Sequence, residues 1–436
     1  MKKIFKIVAT LLLVLVTSTF VFAQVSNTNF ATAGTLRDDA DNFMDVRYYN
    51  DVDFSNFFAW TNLSLGDVNL GFAKKFNELY LGAYYAGDLL NSLTKTESKE
   101  ISSEEIVSYT KKEVGMHEFD LLFGFSGMAL KLNTNFNINS TYTSETNYVK
   151  NSKYIFDLTW GGLSVPVENF ALRPYASIGY AFTDASTYTE DDTTPGMVRK
   201  ITDKSGNLGL LTVSLGSDLE WGDKSGFFSV AGLTYALSFA TGRNGEIRET
   251  VTSIDGGSTY TTITKRDGAS TVVNIIAPYY RFEYTASEKV KFGGCVNAVF
   301  GINSLCNGFE YIDTPSTETP TVITTSTIAS TAALGMQYKL KENFAMNVGF
   351  GANLPSIFSV KNVDAVNNTR TVVANTVANT VVGDVDTSFS SFLRTGFVWD
   401  INENCALDAS MSIGTTPKFL DDILNGELSL GFKYKI

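Results

Sequence analysis

The stretch ALKLNTNFNIN, residues 129–139, alternates between two kinds of side chain. Apolar or small residues occupy every second position from Leu130 to Ile138, and lysine or asparagine occupies the positions between them. Successive side chains of a β-strand point to opposite faces, so one face of this strand is apolar and the other carries amides and an ammonium group. A soluble sandwich would bury the apolar face, whereas a membrane barrel turns it to lipid and leaves the asparagines to a polar lumen.

The first residues have the form of a secretory signal peptide. Lys2, Lys3 and Lys6 precede an apolar run from about Ile7 to Phe20, and a cleavage site ends at Ala23. The run is shorter than the ~20 apolar residues that a spanning helix needs. We therefore expect residues 1–23 to be a signal peptide and the mature protein to be exported.

The composition narrows the class of protein. The chain has 34 basic and 46 acidic residues, and without the three signal lysines 34 − 3 leaves 31 against 46, a net charge of −15. An acidic chain without basic runs is a poor nucleic-acid binder. The 20 tyrosines and 32 phenylalanines, with only eight prolines, favour strands. The same alternation of strands and turns runs from about residue 57 to Ile436 without a linker.

The connections between the alternating segments are short and long in turn. Short links fall at 166–169, 222–225, 287–289, 341–343 and 401–403, and long polar loops at 87–116, 184–207, 241–270, 304–324 and 355–388. Bacterial outer-membrane barrels have short periplasmic turns and longer outer loops in this order. We predict an all-β, transmembrane, antiparallel up-and-down barrel over 57–436. It has about sixteen strands, with fourteen as the alternative, and is integral to the outer membrane.

Two stretches resemble known families. ELSLGFKYKI, at the end of the chain, is similar to the terminal strand that the barrel-assembly machinery recognises in Gram-negative outer-membrane proteins. The residues that match this assembly signal are Leu428, Leu430, Phe432, Tyr434 and Ile436, of which Ile436 departs from the usual Phe or Trp. RDDADNFMDV (37–46) with VDFSNFFAW (52–60) resembles the start of porin-like spirochaete outer-membrane barrels. These resemblances imply lipid and the assembly machinery as partners.

The inward face of the barrel is expected to carry charges of both signs and a ladder of amides. The candidate charged lumen residues are Lys131, Asp157, Arg173, Asp218, Arg281, Glu283, Lys291, Arg394 and Asp408, and the candidate polar ones are Asn133, Asn135, Asn137 and Asn347. Residues 24–56 contain two Arg and six Asp. They form either a periplasmic segment, which we favour, or a lumen plug that pairs with Arg173, Arg281 and Arg394.

No enzyme or metal constellation is found in the sequence. His117 is the only histidine, no CxxC motif occurs, and we interpret Cys295, Cys306 and Cys405 as unpaired packing residues. The acidic runs in the outer loops are interpreted as solvated charge. We therefore expect no catalytic residues, no metal and no cofactor.

Three functions remain open. The first, which we favour, is a porin-like channel for passive diffusion of small hydrophilic solutes, with a homotrimer suggested by analogy to porins. The second is a plugged, substrate-specific transporter, including one for hydrophobic cargo. The third is a surface adhesin or antigen that binds a host or surface ligand through its Thr-rich loops. An apolar stripe along the lumen would favour the transporter, and the sequence pattern indicates none.

Overall fold

A computed structural model describes residues 27–52, 54–64, 68–87, 96–102, 105–142, 147–191, 197–204, 208–242, 245–253, 259–266, 270–306, 310–312, 322–364, 369–377, 390–414 and 428–436. The expected signal peptide lies outside these residues. Within them, no helix is both long and apolar enough to cross a membrane.

The described residues contain 23 strands, numbered β1 to β23 along the chain, and sixteen of them form the wall of a closed barrel. The wall strands are β1 (Phe57–Ser64), β2 (Val68–Phe76), β3 (Leu79–Gly87), β5 (Glu105–Phe125), β6 (Met128–Tyr142), β7 (Tyr148–Gly161), β9 (Phe170–Asp191), β11 (Leu208–Gly222), β12 (Phe227–Gly242), β15 (Ser270–Ser287), β16 (Val290–Cys306), β18 (Val322–Lys341), β19 (Phe344–Asp364), β21 (Ser390–Asp400), β22 (Cys405–Gly414) and β23 (Leu428–Lys435). The other seven are β4 (Thr96–Ser102), β8 (Val165–Val167), β10 (Met197–Lys204), β13 (Gly245–Ser253), β14 (Thr259–Arg266), β17 (Glu310–Ile312) and β20 (Thr369–Val377).

The barrel closes through its terminal strands. Every wall strand is antiparallel to its neighbours, and β23 pairs with β1 from Lys435 opposite Phe58 to Ser429 opposite Ser64. Closure leaves no wall strand with an unpaired edge, which is the condition for a sheet to stand in hydrocarbon. The predicted antiparallel barrel of sixteen strands is therefore confirmed.

The start of β1, the end of β23 and the short turns share one end of the barrel, which we call the short-turn rim; the opposite end is the long-loop rim. Asn77–Glu78 and Ser126–Gly127 form two of these turns, and neither is among the short links predicted from the sequence. Asn77, Ser126 and Gly127 have positive φ, which tight hairpin turns require. The backbone amide of Asn56 donates to the carbonyl of Ile436, so the barrel begins and ends at the short-turn rim.

The region expected to be a long loop at 241–270 is more ordered than predicted. It contains β13 and β14, which pair with each other, and β13 also pairs with β10. The physical reason is its content of β-branched and aromatic residues, as in the stretch TYTTITKR of β14, which favours extended pairing beyond the wall. The long-loop rim is therefore raised by extra hairpins on this side.

The outer surface of the barrel is an apolar band. On β11, Leu211, Val213 and Leu215 are exposed, Leu215 to 58%, whereas the alternating Ser214 and Asp218 are buried, Asp218 to 0%. In the opening stretch, Leu130 and Leu132 are likewise exposed. An outward apolar face on a closed barrel is the surface that lipid covers, so the barrel spans a membrane.

The two faces can be tested on neighbouring residues of β6. Leu132→Arg should destabilise the barrel by about 2–4 kcal/mol at the bilayer midplane, because it buries a cation in lipid. Asn133→Arg is the matched control, because Asn133 donates to Glu118 at 2.7 Å and also contacts Asp120, so a cation there faces two carboxylates. Heat-modifiable gel mobility and urea unfolding measure both variants. Equal damage would contradict the assignment of faces.

Candidate functional site

Residues 27–56, apart from 53, lie against inward-facing side chains of the barrel; we call them the N-terminal segment. The segment contains the short helices α1 (Asn27–Ala31) and α2 (Asp39–Asn42) and a 3₁₀ turn at Tyr49–Asp51. Asp38 caps α2, because its carboxylate accepts from the amides of Ala40 and Asp41. The sequence favours a periplasmic tail for residues 24–56, and a tail would not lie against the inward face of the barrel as this segment does.

One side of the N-terminal segment packs into an aromatic cluster on the wall. Phe43 lies 5.6 Å from Phe58 between ring centroids, and Tyr49 lies 5.1 Å from Tyr80. The hydroxyl of Tyr80 donates to the carbonyl of Phe43 at 2.5 Å. Each buried aromatic ring contributes on the order of 2–3 kcal/mol by its removal from water. This cluster joins the segment to β1, β3 and the start of β6.

On the opposite arc, the segment approaches the wall so closely that only glycine fits. A Cβ placed at Gly349 on β19 would overlap the backbone of Thr32 and Ala33, and one at Gly335 on β18 would overlap Thr32 and Thr35. These two inward positions therefore need glycine for close approach rather than for a turn. The segment is thus in backbone contact with β18 and β19.

A buried ion cluster, the central ion cluster, joins the segment to β11. Arg47 donates to the carboxylate of Asp218 at 2.9 Å, and Tyr48 donates to the same oxygen at 2.6 Å. Arg47 also forms a bidentate pair with Asp45, with both distances 3.0 Å. The Arg47 side chain is 5% exposed. Removing one partner of such a pair leaves a buried charge and costs about 3–5 kcal/mol.

The charge on Asp45 is held by two arginines of its own segment. Burial raises the pKa of the Asp45 carboxyl, but Arg47 and Arg37 together lower it well below its ordinary value. Arg37 lies 3.0 Å from Asp45. Asp45 therefore remains ionised at every pH at which an ordinary carboxylate is ionised, and it keeps Arg47 oriented towards Asp218.

Arg173 on β9 extends this network towards the short-turn rim. Its guanidinium lies 2.8 Å from Glu220 and 3.1 Å from Asp51, and it donates to the backbone carbonyl of Arg47 at 2.6 Å. The ring of Tyr48 is surrounded by three guanidiniums, those of Arg37, Arg47 and Arg173, at 4.8–5.3 Å from its centroid. Cation–π attraction is strongest when the ring is desolvated, as here.

The remaining cations of the wall meet the segment differently. Lys433 on β23 contacts Asp38 of the segment and lies 2.9 Å from Asp408 on β22. Arg394 on β21 stacks at 4.1 Å on the ring of Phe30. Of the three arginines considered as partners of residues 24–56, Arg173 pairs with an acid of the segment, Arg394 stacks on an aromatic ring, and Arg281 lies 3.6 Å from Glu283 on its own strand.

The other candidate lumen residues form groups away from the central ion cluster. Lys131 lies 2.6 Å from Asp120, and Asn133 is opposite Asp157 in the strand register. Asn135 is opposite Glu118, and Asn137 is exposed. Asn347 is fully buried and accepts from Gln337 at 3.1 Å.

A polar cavity lies at the short-turn rim beside the segment. It has a volume of about 280 Å³ and is lined by Arg37 and Asp39 of the segment and by Glu283, Lys291 and Lys435 of the wall, among others. Lys291, a candidate lumen residue, is exposed here. The cavity is open to solvent at the rim and ends against the segment.

The assembly-signal residues lie on the outer face of β23. Leu430, Phe432 and Ile436 are exposed, and Tyr434 is half-buried. The side chain of Leu428 is outside the described residues. These positions form part of the lipid-facing band at the seam where β23 meets β1.

The lumen wall carries an apolar surface that the sequence analysis did not detect. We call it the inward apolar patch; its residues are Leu210, Ala236, Ala240, Val273, Ile275, Ala277 and Val299. They alternate with exposed residues such as Ile276 and Phe300, so they face the interior. The expectation of no apolar stripe in the lumen is wrong. On β15 both faces are apolar, as in TVVNIIAP, so alternation alone cannot separate them.

The inward apolar patch lies on the long-loop side of the central ion cluster. On β15, Ala277 precedes by two residues Tyr279, whose hydroxyl lies 3.4 Å from Arg47. On β11, Leu210 lies eight residues before Asp218, towards the long-loop rim. The apolar patch therefore lies nearer the long-loop rim than the ion cluster does.

No family model matches the chain, and no curated protein matches it. Among solved structures, it is similar to a Pseudomonas aeruginosa FadL homologue at 11% identity, with a TM-score of 0.44 over 94% of this chain and 98% of that one. It is also similar to the P. putida toluene transporter TodX at 7% identity (TM-score 0.43; 94% and 98%) and to the CymD monoaromatic hydrocarbon channel at 10% (TM-score 0.42; 96% and 99%). At these values we draw the function only from residues of this chain.

Removal of Arg47 should release the N-terminal segment while the barrel stays folded. Arg47→Ala leaves Asp218 buried without its cation and Asp45 with Arg37 alone, which costs about 3–5 kcal/mol. Trypsin should then cleave after Arg37, the remaining basic residue of the segment, at least tenfold faster, as measured by mass spectrometry, with unchanged heat-modifiable mobility. The control is Arg199→Ala, which breaks an ion pair with Glu249 whose partners are 50% and 35% exposed. Such a surface pair contributes about 0–1 kcal/mol. Equal cleavage in both variants would contradict the role of Arg47.

The lowered pKa of Asp45 predicts how acid affects the segment. A carboxylate whose folded pKa lies below its unfolded value of about 3.9 contributes stability above that value and loses it as the pH falls further. Pepsin should therefore leave residues 27–56 intact at pH 4.5 and cleave them only in stronger acid. Asp45→Asn lacks the charge at every pH, so this variant should be cleaved already at pH 4.5. Cleavage of the wild type at pH 4.5 would contradict this account.

Proposed function

We propose that the protein is an outer-membrane transporter whose N-terminal segment is a plug and whose cargo is a small hydrophobic molecule. The observation that carries the proposal is that the segment bridges opposite sides of the lumen. It packs on Phe58 and Tyr80 on one arc and binds Asp218 on another, and it touches Gly349 on a third. A hydrated solute has no reason to need such a plug, so this proposal replaces the passive porin.

The hydrophobic cargo is supported by the chemistry of the inward apolar patch. Val273, Ile275 and Val299 point inward and are buried in an apolar cluster of the wall, Val273 and Ile275 to 1% exposure. Such a cluster offers no hydrogen bond to a hydrophilic solute, whereas contact with it favours an apolar one by about 25 cal/mol per Å² of buried surface. The patch lies before the central ion cluster on the path from the long-loop rim, where cargo would wait for the plug to move.

The plug is suited to controlled release because its contacts are of two kinds. The aromatic cluster around Phe43 and Tyr80 is non-directional and tolerates small shifts. The Arg47–Asp218 pair requires short distances and the exclusion of water, so it is lost in a single step when the segment moves. This combination gives a closed state that opens discretely rather than leaking gradually.

The location in the outer membrane is part of the proposal. The signal peptide over 1–23, the terminal strand from Leu428 to Ile436 and the closed barrel support export followed by insertion through the barrel-assembly machinery. In this orientation the short-turn rim faces the periplasm.

A cysteine pair that fixes the plug to the wall tests the gating. A Cβ at Gly161 would lie 3.3 Å from the Cβ of Val46, close to the ~3.5–4.5 Å of disulfides. In a background with Cys295, Cys306 and Cys405 replaced by serine, Val46→Cys with Gly161→Cys should be closed when oxidised and active when reduced. The assay is uptake of N-phenyl-1-naphthylamine into vesicles with a lipopolysaccharide outer leaflet. Val46→Cys alone is the control.

Two further variants separate the plug from the cargo in the same assay. Deletion of residues 27–52 should raise single-channel conductance in a planar bilayer to that of an open pore. Ile275→Gln should slow uptake of the apolar probe about tenfold, because it places an amide on the patch, while conductance stays as in the wild type. Equal uptake in the oxidised and reduced cysteine pair would contradict gating. Unchanged uptake in Ile275→Gln would contradict hydrophobic cargo.

A further inference from the structure

The wall side of the central ion cluster surrounds the guanidinium of Arg47 with one carboxylate and two tyrosines. Asp218 of β11 lies 2.9 Å from Arg47 and is fully buried. The ring of Tyr175 on β9 lies 4.9 Å from the guanidinium carbon, and Arg47 donates to the hydroxyl of Tyr279 on β15 at 3.4 Å. A carboxylate beside aromatic faces is the chemistry that binds organic cations in proteins. We call Asp218, Tyr175 and Tyr279 the cation cage.

The barrel wall itself holds the rings of the cation cage in place. The ring of Tyr175 lies over Gly216 and that of Tyr279 lies over Gly232, since a Cβ at either glycine would overlap the ring. The hydroxyl of Tyr175 also hydrogen-bonds the hydroxyl of Thr234 on β12. These contacts are made within the wall, so they persist when the N-terminal segment leaves. A site that is already organised loses less entropy when a ligand binds.

Departure of the segment leaves Asp218 without a cation. Among the described residues, the one cation within 4 Å of Asp218 is Arg47, whereas Glu220 keeps Arg173 of the wall at 2.8 Å. Asp218 also has spare capacity, because Arg47 and Tyr48 both donate to its Oδ2, and its Oδ1 accepts no hydrogen bond of ordinary geometry. A carboxylate in such a site is strongly destabilised without a cation. The open lumen therefore presents an anionic site between two rings.

We propose that the cation cage binds the ammonium or guanidinium group of an organic cation, and that Arg47 occupies the same place while the barrel is closed. The inference rests on the proposed transport function and names the chemical class of its cargo, an apolar molecule with one cationic group. The ligand and Arg47 exclude each other, so the ligand binds only the open state. It therefore increases the population of the open state in proportion to its concentration, without starting the opening.

The surroundings of Asp218 favour an organic cation over a small inorganic ion. Ring faces do not replace the water that a small ion would lose, whereas a guanidinium is weakly hydrated and stacks on aromatic rings. Ala277 of the inward apolar patch lies two residues from Tyr279 on β15, about 7 Å along the strand. An apolar body attached to the cation can therefore extend from the cage towards the patch.

The mature chain with Arg47→Ala tests the site directly, because it lacks the side chain that fills the cage. Titration calorimetry measures the binding of butylguanidinium and of butylurea, a neutral probe of the same shape. Butylguanidinium should bind at least tenfold more tightly than butylurea. Addition of Asp218→Asn to this variant should remove the preference, and heat-modifiable mobility checks that both variants fold. Equal affinity for the two probes in Arg47→Ala would overturn the proposal.

A second measurement keeps Arg47 in place and follows the departure of the segment. Val46 is 5% exposed and packs against Gly161, so Val46→Cys in the background without native cysteines reacts with a maleimide only when the segment leaves the wall. Butylguanidinium at millimolar concentration should accelerate this labelling at least threefold, because it binds the open state. Butylurea and sodium chloride at the same concentration should not. Labelling that is the same with all three additives would overturn the proposal.

The results also separate the cation cage from the proposed transport function. Uptake of N-phenyl-1-naphthylamine that depends on reduction of the cysteine pair, without a preference for butylguanidinium, would retain the transporter and overturn the cage. A preference for butylguanidinium that Asp218→Asn removes, without any uptake, would support the cage and contradict transport.

Discussion

The ion pair between Arg47 and Asp218 is the interaction on which the interior of the barrel depends. Both side chains are almost fully buried, and a charge in that position is stable only while its partner is present. The wall therefore needs the N-terminal segment as much as the segment needs the wall. With Arg47 absent, β11 would present an ionised carboxylate to a lumen that also contains the inward apolar patch. The energetics of the pair thus couple the position of about thirty residues to the barrel as a whole.

The contacts around this pair divide the lumen into arcs of different chemistry. The arc of β1 to β5 receives the rings of the segment, the arc of β9 to β15 pairs with Arg47 and Asp51, and the arc of β18 and β19 receives its backbone, while β23 pairs with Asp38. Contacts between aromatic rings allow the segment to rotate, and the contacts at glycine fix only its distance from the wall. The direction of the segment is therefore set by Arg47 and Arg173, because planar guanidiniums bind their partners in few geometries. The orientation of the segment is for this reason set on the charged arc. The aromatic arc supplies buried apolar area, and the glycine arc allows close approach of the segment to the wall.

Sequence patterns predicted the outside of the barrel better than its inside, and the reason is the solvent. Lipid favours apolar side chains at outward positions, so Leu130, Leu132 and Leu215 follow period two, and strand number and closure follow from that. The lumen does not require one type of side chain at the inward positions. Arg173 could be paired with residues 24–56 from charge alone, but Arg394 stacks on Phe30, and β15 is apolar on both faces. Whether residues 24–56 form a tail or a plug depends on how closely the segment can approach Gly349 and Gly335. The sequence around these glycines does not indicate this close approach.

The order of apolar patch and ion cluster along the lumen constrains how the proposed plug opens. Asp218 is fully buried and Arg47 is 5% exposed, so an apolar molecule near Val273 and Ile275 has no water to remove from this pair. In such a dry surrounding the attraction between Arg47 and Asp218 is already strong. Arrival of hydrophobic cargo on that side therefore does not open the closed state. Opening must begin where water reaches the network, at the polar cavity beside Arg37 and Lys433, and proceed from the short-turn rim inward. In the proposed orientation this is the periplasmic side, so release of the plug is controlled from the compartment that receives the cargo.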